Sequence, residues 1–554
     1  LETRLNLIKM FRMRENKDWK FKIALILSFA LIFALYLSTL NPELSDLSGD
    51  SARFLLLAKS ISQGKGYREI ENPSEPPHTE YMPGLPILLA LIYRLAPDNL
   101  TPMKFLIILF AFSSSLFFYL FLFREKRVAR YILTLLFSLI PFLFQLQTQI
   151  LADIPHLAFL LLGFFWFEKS RELANQKISA YVLAGALFAI AFYFRQLALI
   201  AFFSGLIVLF LIKNLRHKKI ILGYSIGFLI PAGIWYLRNF LVAGAIEPSY
   251  AQKLWFAKAS NPFAGTLTIT GLLSRIIRRV GFFSFHLERD LLLGSYSQAL
   301  IIIWIALLVF LLIGLGYELL RSKNISAVFF LPYLIVISSW EGWVPRYLLP
   351  FLTLSIFFIY RGISLCFKLF SKNQRINFQL TILIFSLWIS LNIVRSLSVI
   401  SFQHTPLFYP PFATLEEKEP MELLGAKNFA FYPDAFEWKK KGKQYLIAKS
   451  GTYYHFFAMA EWVKRKLPED SVVVCRKPRL FAWLSAGKAI QLPAELDPDK
   501  FLSEVKNRGG NYLLIEEISP ELMPILLGFW KEKPESFELS HQFSQTYLLK
   551  INPR

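Results

Sequence analysis

A polytopic α-helical membrane protein carrying a C-terminal α/β domain outside the membrane is the fold class this sequence predicts. Three observations predict it. The 554 residues are 55% hydrophobic and only 18% charged, with a mean hydropathy of +0.44. Apolar runs of about 20 residues, the length that crosses a bilayer, recur along most of the chain. From residue 455 those runs give way to short β-branched stretches alternating with amphipathic helices, the signature of a small parallel or mixed sheet. A soluble chain would divide into separate cores and would not need so many unbroken apolar runs.

Charge placement orients the chain. The formal net charge is +22, but the bases gather in short loops between apolar runs, not along a nucleic-acid-binding stripe. Residues 1–22 form a basic, cytoplasmic N-terminus with Arg4, Lys9, Arg12, Arg14, Lys17, Lys20 and Lys22. The run that follows ends at Tyr36, Leu37 and Asn41. A cleavage site needs small residues there, so a retained anchor is expected.

About eleven spans are predicted within a transmembrane module at 23–400: near 23–40, 102–123, 131–147, 154–167, 179–194, 197–212, 220–237, 298–317, 325–340, 347–365 and 378–399. Every loop this pattern puts inside is basic, from Arg124, Lys126, Arg127 and Arg130 through Lys368, Lys372 and Arg375. An odd number of spans places the C-terminal domain outside.

Two outer loops are long, 41–101 and 239–297. The first predicts an amphipathic helix over 51–62 and a second, proline-framed one over 85–95; both are too short to cross, and the second should lie in the interface. Tyr81-Met82-Pro83-Gly84 leads into the second. The other loop carries Arg275, Arg278 and Arg279 at helical spacing. They read either as a helix snorkelling at headgroups or as part of a loop that contacts donor or acceptor. A proline-rich, linker-like segment spans 401–454, and the α/β domain spans 455–554.

The residues that could carry chemistry lie on the predicted outer side. Asp50 opens the 51–62 helix, where an acid serves either as an N-cap or as a base at headgroup depth; Asp46 competes for the role. Asp153 stands at the outer end of the fourth span before Pro155, with His156 nearby. A carboxylate at that depth needs a polar cavity or a partner. Arg195 sits at a tight hairpin tip, Arg238 ends the seventh span and Arg346 begins the tenth. Each could anchor at headgroups, and each could grip phosphate through its planar fork. No HExxH or CxxC occurs, so no metal site is expected. With Cys366 in a membrane helix and Cys475 in the tail, no disulfide is expected. Neither GxGxxG nor GxxxxGK[ST] is present in the α/β domain, which argues against nucleotide binding.

Several segments together resemble one family: the acid after the first span, G-K-G-Y, Y-M-P-G-L-P-I-L-L-A-L, A-D-I-P-H-L-A-F, P-A-G-I-W-Y-L-R-N-F and E-G-W-V-P-R-Y-L-L-P-F. Over roughly residues 20–400 the layout is similar to bacterial GT-C glycosyltransferases, the group of the protein O-mannosyltransferases and the lipid A aminoarabinose transferase. The resemblance implies transfer of a sugar from a polyprenyl-phosphate donor to an acceptor hydroxyl of a protein, lipid or glycan. The reaction would take place on the outer face of the bacterial cytoplasmic membrane. It implies Asp50 as base, Asp153 as the second acid and Arg346 on the donor phosphate. Because many relatives have an acidic pair where this chain has Asp50-Ser51, the base role falls to Asp50 alone and a metal is not implied. With no separate nucleophile evident, inversion is expected, and no cofactor beyond the lipid-linked donor. The expected partners are therefore membrane lipid, donor and acceptor, with no nucleic acid. The alternative class is a flippase or transporter for lipid-linked sugars, which would carry internal repeats that this chain lacks.

Overall fold

The computed structural model describes residues 2–42, 44, 48–172, 177–215, 217–243, 255, 257, 265–284, 300–340, 345–370, 373–404, 407–408, 430–431 and 443–552. Asp46, most of the 239–297 loop and most of the 401–454 segment lie outside them.

Helices form at all eleven predicted runs, although 131–147 divides into Arg127–Ser138 and Pro141–Leu146. Pro141 has no N–H to continue the ladder, and it starts the second helix instead. Among the described residues, six helices are long and apolar enough to cross a membrane: Trp19–Leu37, Leu100–Phe121, Lys218–Ala243, Ile301–Ser322, Pro345–Leu369 and Gln374–Ser401. The apolar helices Ile178–Phe194, Ala198–Leu211 and Ile325–Ser339 are shorter. The 14-residue Ala198–Leu211 helix reaches only about 21 Å at 1.5 Å per residue. Its length fixes where the Arg195 turn before it sits.

Close packing sets the positions of the helix ends. A Cβ added at Gly227 would overlap the carbonyl oxygen of Val182, and one at Gly185 that of Tyr224. Helices Ile178–Phe194 and Lys218–Ala243 therefore touch backbone to backbone, as small residues allow. Gly314 and Gly362 do the same for the pair 300–317 and 349–370, against Phe358 and Phe310.

The Asp50–Ser62 helix forms where the sequence predicts an amphipathic one, but it does not turn a polar face to solvent. It is buried on nearly every side, Arg53 included. Phe54, Leu55 and Ala58 join the core of the membrane helices. Ala52 and Leu56 pack with Leu480, Phe481 and Phe456 of the C-terminal domain. A helix packed between two bodies is covered on both faces, so its buried Arg53 needs partners of opposite charge. The Gly84–Leu95 helix keeps Ile87, Leu91 and Leu95 exposed, as the sequence pattern predicts.

In the C-terminal domain a five-stranded sheet runs in the order 488–491, 472–475, 512–515, 546–551, 537–543. The first three strands are mutually parallel and the last two antiparallel. The sequence reading missed Phe537–Phe543, whose FELSHQF has only its ends buried. That strand is an edge, and edge strands carry a weak apolar alternation. The opposite edge is covered by the first outer loop: Ala489 N donates to Glu71 O at 2.8 Å and Lys488 Nζ to Ile70 O at 2.8 Å.

Candidate active site

Asp50 is the first residue of its helix, and its side chain is not the cap. The capping position is Gly49, at φ 94°, a conformation that glycine adopts without a Cβ penalty. One carboxylate oxygen of Asp50 accepts from the Tyr81 hydroxyl at 2.5 Å. The other is ion-paired with Arg346. Arg346 also brings Nε to 3.6 Å from Asp153, whose same oxygen lies 2.5 Å from Arg195. Two acids and two arginines from four separated segments thus alternate in one chain, Asp50–Arg346–Asp153–Arg195. Asp153 is only 3% exposed. Burying a carboxylate there costs little because a guanidinium meets it on each side.

Tyr347 holds the arginines in place. Arg195 lies 4.6 Å and Arg346 5.6 Å from the centre of its ring, within cation–π range. Its backbone carbonyl accepts from the Tyr333 hydroxyl at 2.7 Å. The cluster opens into a cavity of about 290 Å³ lined by Asp50, Tyr81 and Arg195, and otherwise largely by apolar side chains such as Phe54, Ile200 and Trp340. One end is charged and the walls are greasy, which suits a ligand with a polar head and an apolar tail.

Electrostatics keep Asp50 ionised. Burial alone pushes its carboxyl up, but Arg346, the Tyr81 hydrogen bond and Arg195 more than offset that, holding it below the ordinary carboxylate value. Among the described residues no three His, Cys, Asp or Glu side chains gather as a metal site would require.

A second cluster positions Tyr81. Arg53, 1% exposed, lies 3.2 Å from Glu69 and 3.9 Å from Glu71, with its guanidinium 5.1 Å from the Tyr81 ring. His78 Nε2 accepts from the Tyr81 backbone N–H at 2.7 Å, so Nδ1 carries the proton and donates to Glu69 at 2.7 Å. The 3.0 Å approach of Arg53 to that same Nδ1 is then a contact and not a hydrogen bond, because both atoms are donors. Burial and the Arg53 charge push His78 down to about 4, which keeps it neutral. Burial also raises the Glu71 carboxyl, against the pull of Arg53. Arg53→Ala is expected to destabilise the protein by about 3 kcal/mol, the lower end for breaking a buried pair, since Glu71 can protonate instead. Thermal unfolding of the purified protein checks this, and faster proteolysis within 67–81 should accompany it.

The other arginines singled out in the sequence do not join the Asp50 cluster. Arg238 donates to the backbone carbonyls of His78 and Tyr67, at 2.5 and 3.2 Å, and packs on Tyr67 and Trp235. It props the loop that delivers Tyr81. Arg275 is buried and donates to Ser339 O and Ala257 O, while Arg279 donates to Trp340 O. These two pin the Ile269–Phe282 helix beside Trp340, which lines the cavity. Arg278 is exposed on the same helix. His156 Nδ1 donates to Ala191 O, 3.1 Å away, and holds two helices together. Sequence reasoning missed Arg53, Glu69, His78 and Tyr347. The signal for Tyr347 was its place directly after Arg346; for Arg53 it was a lone base amid Ala52, Phe54 and Leu55.

Residues 75–236 match the family model of dolichyl-phosphate-mannose-protein mannosyltransferases. No curated protein sequence matches the chain. In structure, the chain is similar to ArnT from Cupriavidus metallidurans bound to undecaprenyl phosphate, with TM-score 0.56 and 10% identity over 96% of this chain and 99% of that one. It is also similar to the Archaeoglobus fulgidus oligosaccharyltransferase tethered to an acceptor peptide, with TM-score 0.52 and 9% identity over 90% of this chain and 69% of the other. The matched segment contains Tyr81, Asp153 and Arg195, three of the residues gathered around Asp50. This chain is therefore a multi-pass membrane protein of the GT-C glycosyltransferase fold, with a C-terminal domain built on a small sheet.

Proposed function

We propose that the protein transfers a sugar from a polyprenyl-phosphate donor to an acceptor hydroxyl at the outer face of the cytoplasmic membrane, with inversion. The observation that carries this reading is the alternating chain of Asp50, Arg346, Asp153 and Arg195, of which Asp50 and Arg195 line an apolar-walled cavity. The apolar walls suit the prenyl chain, and the arginines suit the phosphate.

The chemistry follows from where charge develops. In the donor, a phosphodiester with one negative charge links the sugar to the lipid. As the anomeric C–O bond breaks, its electron pair goes to the phosphate, which becomes a monoester with a second charge. Arg346 and Arg195 meet that growing charge better than they meet the ground state, which is the condition for lowering a barrier. The acceptor oxygen bonds to the anomeric carbon from the opposite side, and its proton passes to Asp50.

Arg346 links the two roles. In the structure it pairs with Asp50 and keeps that carboxyl low, and a carboxylate so held is a weak base. A donor phosphate that draws Arg346 toward itself relieves Asp50 and raises its basicity when a substrate is present. Tyr81 keeps the carboxylate aimed during the exchange. Asp153 holds both arginines within one cluster.

The test uses membranes containing wild-type protein or Asp50→Asn, supplied in turn with several radiolabelled polyprenyl-phosphate sugars. Label leaving one donor, and only with wild type, is the expected result, and NMR of the product should show the anomeric configuration opposite to the donor's. Wild-type turnover by Asp50→Asn would remove Asp50 from the chemistry, and retention would exclude direct displacement.

A further inference from the structure

A second cavity, of about 280 Å³, lies on the C-terminal domain. It sits at the carboxyl ends of the three parallel strands. Arg476 and Lys477 directly follow strand Val472–Cys475, Gln491 ends strand Lys488–Gln491, and Ser519 and Glu521 follow strand Tyr512–Ile515. Cys475 and Gln491 are partners in the parallel register, so the two strands stop together and leave a crevice. Open α/β sheets bind ligands at that edge.

The lining carries Arg476, Lys477 and Arg479 against the single acid Glu521. Lys477 is fixed in direction: Nζ donates to the Tyr453 hydroxyl at 2.7 Å and lies 4.9 Å from that ring's centre. Behind the lining, Glu516 is 3% exposed, and neither of its carboxylate oxygens has a hydrogen-bond partner. Burial pushes its carboxyl up to about 7, so at neutral pH it cancels only part of the positive charge. Three basic side chains and one acid along a single crevice suit the oxygens of a phosphate.

The remaining wall comes from the membrane module. Ser48 and Gly49 line this cavity, while the next residue, Asp50, lines the other. A single peptide link, with Cα atoms about 3.8 Å apart, thus separates the proposed base from the cationic crevice. In the transferase reading the donor phosphate is met by Arg346 and Arg195.

We propose that this crevice is the acceptor subsite and that it binds a phosphate group on the acceptor, holding a nearby hydroxyl against Asp50. The assignment to acceptor rests on the transferase reading; the assignment of a phosphate site does not. A phosphate monoester there has one face toward the Arg476–Arg479 segment and one toward the backbone of Ser48 and Gly49. Its source is either a phosphorylated lipid headgroup or a soluble phosphorylated compound.

The experiment is calorimetric titration of the full-length protein in phosphatidylcholine nanodiscs with inorganic phosphate, at constant ionic strength with chloride as the control. Saturable binding by wild type is expected, weakened at least about tenfold in the Arg476→Gln/Arg479→Gln double variant through loss of two charge-assisted contacts. Arg479→Lys keeps the charge and is expected to keep binding, which separates loss of the site from loss of the fold. Phosphate bound at Arg346 and Arg195 forms a separate class of sites, recognised as the one weakened by Arg346→Ala and left intact by the double variant. Nanodiscs that also contain phosphatidic acid divide the two sources: a phosphorylated lipid fills the crevice and suppresses the phosphate titration, whereas a site for soluble compounds titrates unchanged. No saturable binding, or equal binding by the double variant, overturns the proposal. Arginine-dependent binding with no turnover of any lipid-linked sugar would leave the phosphate site standing and remove its role as acceptor subsite.

Discussion

Asp50→Asn is expected to lower sugar transfer by about 10²- to 10⁴-fold, the range for losing a positioned general base. The substitution keeps the shape of the side chain, and its single amide oxygen still accepts from the Tyr81 hydroxyl, while an NH2 replaces the oxygen that meets Arg346. Donor binding should hold or tighten, because Arg346 loses one of its two carboxylate competitors for phosphate and keeps only Asp153. The pH behaviour gives a second readout. The Asp50 carboxyl is held below its ordinary value of 3.8. Its ion pair therefore contributes fully to stability above that value, and the contribution is lost as pH falls through the lowered pKa. The difference in unfolding temperature between wild type and Asp50→Asn should be constant from neutral pH down to the ordinary value and shrink only below it. A difference that changed near pH 6 would mean that another group governs the pair.

Arg346→Ala is expected to reduce turnover by about 10²- to 10³-fold, as removal of one preorganised donor to a developing anion does. The loss should fall on donor use more than on acceptor use, read as separate kcat and KM values for each substrate. Arg346→Lys returns the charge but not the planar fork that reaches Asp50 and Asp153 together, so it should recover only part of the rate. Losing Arg346 also frees Asp50 from the cation that depresses it, which raises the carboxyl and moves the acid limb of the rate profile upward. Equal damage to donor and acceptor kinetics, with an unshifted limb, would make Arg346 a structural brace only.

Much of the charged cluster was legible because charge at the end of an apolar run is conspicuous. Asp50, Asp153, Arg195 and Arg346 each stand where a charge is costly without a partner, and the structure brings all four together. The same signal singled out Arg238, Arg275 and Arg279, which meet backbone carbonyls instead. A guanidinium at a helix end looks the same in sequence whether its partner is a carboxylate or a carbonyl. Arg53 carried the opposite signal: it sits inside a helix whose pattern suggests a surface, and only the folding of the 67–81 loop around it brings Glu69, Glu71 and Tyr81 to bury it.

By itself the sequence determined the helices, the charged ends that flank them and the α/β alternation of the tail. These depend on local periodicity and on the free energy of moving each side chain out of water, both properties of neighbouring residues. Only the tertiary structure decided which ends meet. Asp50 and Arg346 are 296 positions apart, and no local pattern encodes their pairing. It follows from helix lengths, from glycines that let backbones touch, and from a domain that clamps the Asp50 helix against the membrane module, because close packing admits few arrangements of so many rigid rods.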